Sequence, residues 1–81
     1  FLMAQMEWRE AVIEARVGGD HHELEHLHNR LRADLNARYQ ELGELLDASG
    51  DLPAATDCVR RLMFLEKLLT EIDDALASLE E

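Results

Sequence analysis

The stretch Leu24–Leu46, LEHLHNRLRADLNARYQELGELL, decides the fold. Its apolar residues Leu24, Leu27, Leu31, Leu35, Tyr39, Leu42 and Leu46 recur at intervals of three and four. Residues at that spacing share a helix face, so they draw one apolar stripe along a long α-helix. Gly43 stands inside the stretch at a cost of about 1 kcal/mol relative to alanine. Upstream, Gly18-Gly19 ends a first helix over residues 2–17, and Asp20 with Glu23 reads as the N-cap and capping box of the second. Downstream, Ala48-Ser49-Gly50-Asp51 is a turn, and Pro53 suits the opening of a third helix. That third helix carries Leu52, Ala55, Val59, Leu62, Leu65 or Leu69, Ile72, Leu76 and Leu79 on its stripe. Nothing alternates with a period of two, so no strand is expected. The predicted fold is all-α: an antiparallel three-helix bundle over residues 1–81, with one short helix packed on a long coiled-coil-like hairpin.

The composition narrows the function. Eighty-one residues make one small domain. Eighteen Asp and Glu against eight Lys and Arg give a net charge of −10. That balance argues against nucleic acid and against an anionic membrane surface, both of which need cationic patches. A partner with a basic face is the natural counterpart. No apolar run approaches the length of a membrane span, and Glu7, Arg9 and Glu10 interrupt any signal-peptide pattern. Cys58 is the single cysteine, which rules out an intramolecular disulfide and points to a reducing compartment. It reads as a small side chain at the core edge or a surface thiol. The chain begins at Phe1 and is expected to be a fragment lacking an N-terminal portion.

Plotted at about 100° per residue, the first helix separates two apolar faces. Phe1, Ala4, Trp8, Ala11, Val12 and Ala15 form the side expected in the core. Leu2, Met6, Ile13 and Val17 lie opposite, with Met3 a little further round beside Glu7, Glu10 and Glu14. A helix in a three-helix bundle touches two neighbours, so a wide apolar arc is partly structural. The other reading is an exposed patch rimmed by carboxylates, which is how partner-binding surfaces look. On the third helix, Phe64 points away from the stripe Val59, Leu62, Leu65 and Leu69. Its wheel neighbours are Asp57, Arg60, Arg61, Lys67 and Leu68. It is either an incidental exposed aromatic or an interface anchor ringed by charge.

The segment His22–His26, HELEH, matches the two-ligand-plus-base pattern of zinc peptidases. A catalytic zinc also needs a third protein ligand and a sheltered cleft, for which this chain is too short. Four histidines at a helix start, His21, His22, His26 and His28, read better as a solvated face with adventitious metal affinity. No phosphate-cradling glycine loop, Cys–His pair or nucleophile elbow occurs, so no catalytic residue, cofactor or metal ligand is assigned.

Two segments carry a family resemblance. FLMAQMEWRE at Phe1–Glu10, followed by Glu14, resembles the FLMxQxExRE start of the C-terminal domain of HscB-type co-chaperones. AATDCVRRLMFLEKL at Ala54–Leu68 is similar to that family's AADxVRxLxFLxKL segment. The resemblance implies a J-type co-chaperone of iron–sulfur cluster assembly. In that family the C-terminal three-helix domain binds an IscU-type scaffold, and an N-terminal J domain with a His-Pro-Asp signature stimulates an HscA-type heat-shock chaperone. No His-Pro-Asp occurs in this sequence, so scaffold binding without the ATPase-stimulating half is expected. The family's scaffold-binding positions carry over as Leu2, Met3 and Phe64, with Met6 in place of leucine, and as acidic Glu7, Glu10 and Glu14. The implied location is the bacterial cytoplasm, or the mitochondrial matrix in a eukaryote. Beside this adaptor reading stands a purely structural one, an acidic helical module that self-associates through its extra apolar face.

Overall fold

The computed structural model describes residues 2–80. Three helices run up, down and up: α1 over Leu2–Val17, α2 over His21–Glu44 and α3 over Leu52–Glu80. No strand occurs among the described residues. A π-helical turn over Leu45–Ser49 continues α2 into the connection with α3. The molecule measures 46 × 21 × 14 Å. The long axis is set by α3, since 29 residues at about 1.5 Å each span roughly 43 Å. The sixteen residues of α1 reach only about half as far, so part of the α2–α3 hairpin projects beyond it.

Both connections are built from local chemistry. Gly19 takes φ +61°, the left-handed conformation that ends a helix cheaply only for glycine. Its amide donates to the Arg16 carbonyl at 3.1 Å and the Asp20 amide donates to that of Ala15 at 3.0 Å, a Schellman closure of α1. Asp20 then turns round and caps α2, its carboxylate accepting from the Glu23 amide at 3.0 Å. The capping box expected from the sequence is therefore half formed, because the Asp20 amide that Glu23 would answer is already spent on α1. At the other connection Gly50 has φ +60°, and Asp51 caps α3 by accepting from the Ala54 amide at 3.1 Å.

The core is a leucine seam between α2 and α3 lidded by α1. Leu24, Leu27 and Leu31 meet Leu65, Leu68 and Ile72, all sealed from solvent, and α1 adds Val12 and Ala15. Trp8 and Ala11 pack at its margin. The predicted core face of α1 thus holds for those four, whereas Ala4 is exposed and Phe1 lies outside the described residues.

Several apolar positions correct the predicted stripes. On α3 the buried line is Ala55, Cys58, Leu62, Leu65, Leu68, Ile72 and Ala75. Val59 is 41% exposed, Leu52 and Leu79 are exposed, and Leu69 and Leu76 are only half-buried. The line shifts along the helix, with Leu68 and Ala75 taking the places expected of Leu69 and Leu76, over the part of α3 that Arg9 of α1 reaches at Phe64 and Glu71. On α2, Tyr39 lies at the edge, its hydroxyl donating to the Glu66 carboxylate across the seam. At the end of α2, Leu45, three residues after Leu42, packs against the core, and Leu46 is left outside. Cys58 is buried and its thiol donates to the Arg38 carbonyl at 3.2 Å. Burial pushes that thiol above its ordinary range, Glu41 adds to the rise, and Arg38 and Arg61 oppose it.

Two stability predictions follow from these placements and are read by urea denaturation. Leu68→Ala destabilises by about 2–5 kcal/mol, whereas Val59→Ala changes stability by less than about 1 kcal/mol; the reverse order would restore the stripe read from the sequence. A methyl group added at Gly43 meets nothing within 4 Å, so Gly43→Ala stabilises by roughly 0.5–1 kcal/mol.

Candidate functional interface

The side of α1 turned from the core is apolar. Leu2 is 71% exposed, Met3 75% and Met6 65%, and Ile13 and Val17 continue the exposed line toward the first connection. Single exposed apolar side chains are ordinary, but a run of them along one short helix is not. Glu7, Glu10 and Glu14 flank the run, all exposed and none in an ion pair among the described residues.

Arg9 connects this surface to α3. It stands three residues after Met6 and seven after Leu2, hence on the same shoulder of α1. One of its guanidinium nitrogens lies 3.2 Å and 3.3 Å from the two Glu71 carboxylate oxygens. Its guanidinium carbon sits 5.3 Å from the centroid of the Phe64 ring, a cation–π placement. The shoulder bearing Leu2 and Met6 is therefore the one that adjoins Phe64. On the other side of α1, Arg30 of α2 lies over Trp8, also at 5.3 Å. The helix is thus held on both flanks by arginine–aromatic contacts, with its outer apolar line left open.

Phe64 departs from its predicted placement. It is half-buried, packed against the core cluster and covered on one side by Arg9, where the sequence suggested a side chain pointing well away from the stripe. The reason is the shifted core line of α3: Leu68 is sealed in the core, and Phe64, one turn earlier on the same side of the helix, stands at the core's edge. The structure thus brings Leu2, Met6 and Phe64 onto one side of the bundle, sets Met3 and Glu10 at its outer margin, and places Glu7 and Glu14 further round toward α2. Arg9 was not singled out in the sequence. Its signal was a cation lying on the apolar line of an acidic helix.

The histidine segment is elsewhere. His22 and His26 are exposed on α2, and His21 lies 3.5 Å from Glu25. His28 is not on a solvated face as expected: its Nε2 is 3.1 Å from Asp73 across the α2–α3 seam. Among the described residues no group of three or more His, Cys, Asp or Glu side chains is arranged to hold a metal ion. Among the described residues no helix is long and apolar enough to cross a membrane.

Comparison with known proteins gives a family. Residues 1–73 match the model described as the HSCB C-terminal oligomerisation domain, and the chain belongs to that family. It is 60% identical over 80 residues to a co-chaperone protein HscB homolog of Azoarcus sp. and 56% identical to one of Aromatoleum aromaticum. A third, from Ralstonia nicotianae, is 43% identical over 81 residues. These alignments take in 99–100% of this chain and 45–46% of each relative, so the chain spans about half the length of the relatives it matches. No solved structure matches.

The Arg9 bridge is testable by a double-mutant cycle. Arg9→Ala and Glu71→Ala each lower stability slightly, with a coupling energy of about 0.2–1 kcal/mol because both side chains are partly exposed. Zero coupling in urea denaturation would mean the pair does not hold α1 to α3 in solution.

Proposed function

We propose that this member of the HscB C-terminal family is the scaffold-docking domain of a co-chaperone in iron–sulfur cluster assembly. It binds an IscU-type scaffold protein and catalyses no reaction of its own. The observation that carries this reading is the open apolar line Leu2–Met3–Met6, on the helix whose Arg9 lies over the Phe64 ring, with unpaired carboxylates along its border. A helix backbone already seated in a bundle needs no ordering on docking, and the aromatic ring supplies the anchor typical of an interface hot spot. Glu7, Glu10 and Glu14 steer a basic region of the scaffold and raise the association rate more than the final affinity.

The relatives are about twice as long as this chain, and the co-chaperone role belongs to the whole protein. In this proposal the remainder carries the J domain that engages an HscA-type heat-shock chaperone, and the domain described above delivers the scaffold to it. The cytoplasm of a bacterium is the corresponding location. A second reading is favoured by the description of the matched family, which names oligomerisation. The same open line of α1 would then meet a second copy. Sedimentation across a range of concentrations separates the two, since the docking reading requires a monomer with the face free.

Calorimetric titration with an IscU-type scaffold tests the proposal directly. Saturable binding is expected, and Phe64→Ala weakens it by about 2 kcal/mol. Replacing Glu7, Glu10 and Glu14 together with alanine mainly slows association and flattens its dependence on salt. Because Phe64 is half-buried, the variant's melting curve is recorded alongside. A large loss of stability without selective loss of binding would make Phe64 a packing residue.

A further inference from the structure

The cations of this acidic chain are spread over all three helices. Three of the eight, Arg30, Arg32 and Arg38, are on α2, and the other five are on α1 or α3. Two of those five remain exposed beside Phe64. Arg60 precedes it by four residues and Lys67 follows it by three, the spacings that put side chains on the ring's own side of the helix. Arg60 is only loosely tied to Asp57, at 3.9 Å with both side chains about three-quarters exposed. Lys67 has no ion pair among the described residues. Between them stands Met63, itself exposed.

From α1 to α3 the surface thus runs from unpaired carboxylates, through Leu2 and Met6, to Phe64 and then to two exposed cations, Arg60 in a loose surface pair with Asp57 and Lys67 with no ion pair among the described residues. We infer that the protein docking here is charge-split in the opposite sense, with a basic segment lying against α1 and an acidic segment against Arg60 and Lys67. This rests on the docking reading above and adds the partner's second charge. A uniformly basic partner would be attracted by α1 and repelled at α3, so the two borders together select both the partner and its orientation. A second copy of this chain could match charges by a two-fold arrangement, but each copy carries −10, and their mutual repulsion favours a different protein.

Titration of an IscU-type scaffold into the unaltered chain and three charge reversals tests the inference. Lys67→Glu and Arg60→Glu are compared with Arg32→Glu, which changes net charge equally at an exposed α2 cation outside this face. Lys67→Glu and Arg60→Glu are expected to weaken binding about five- to tenfold, against less than about twofold for Arg32→Glu. Circular dichroism confirms that all four are folded. Binding by Lys67→Glu and Arg60→Glu as tight as by Arg32→Glu, or tighter, overturns the inference and leaves the docking reading standing. Absence of binding by the unaltered chain overturns both. A dimer of the chain alone that Lys67→Glu dissociates identifies the occupant as a second copy and likewise overturns it.

Discussion

A sixteen-residue helix laid on a hairpin can bury one side only, and α1 carries apolar residues on two. Val12 and Ala15, with Trp8 and Ala11 at the margin, take the buried side. Leu2, Met6, Ile13 and Val17 are left facing water, because no fourth element covers them among the described residues. Everything distinctive about the surface follows from that mismatch. The apolar line is open, its position relative to Phe64 is fixed by the seat of α1 on α3, and the charges bordering it are free to meet something else.

The energies involved divide between holding the fold and shaping the face. Stability comes mainly from the sealed leucine seam, in which each large side chain contributes on the order of 2 kcal/mol by leaving water. The bridge from Arg9 to Glu71 is half-exposed and contributes far less. Its effect is positional: one guanidinium engages both a carboxylate and an aromatic ring of α3, and so links the helix that carries the open line to the Phe64 ring. A pre-set face avoids the ordering cost that a mobile one would meet on association.

Helix boundaries were legible in the sequence because their signals are local. Gly19 and Gly50 supply the left-handed positions, and Asp20 and Asp51 supply the caps, each within four residues of the bond it makes. The two apolar sides of α1 were legible too, but its periodicity left open whether the second was covered by a neighbour, and it put the exposed Ala4 on the core side. Depth within α3 was not. Leu68 and Leu69 are adjacent and chemically identical, and which one is sealed depends on where α1 lies, a fact absent from the periodicity of α3 alone. The same dependence tilts Phe64 toward Arg9. The packing of Leu45 rather than Leu46 against the core was equally hidden, because both stand at helical spacing from Leu42.

The central claim is that α1 and α3 form one docking face, with Leu2, Met6 and Phe64 at its middle. Backbone amide NMR of the labelled chain during titration with an IscU-type scaffold tests it most directly. The account predicts shift changes confined to residues 2–14 and 60–67, with the outer side of α2, including His22, His26 and Asn29, left unchanged. Changes centred on α2 or on the hairpin tip around Leu46, with α1 silent, would contradict it.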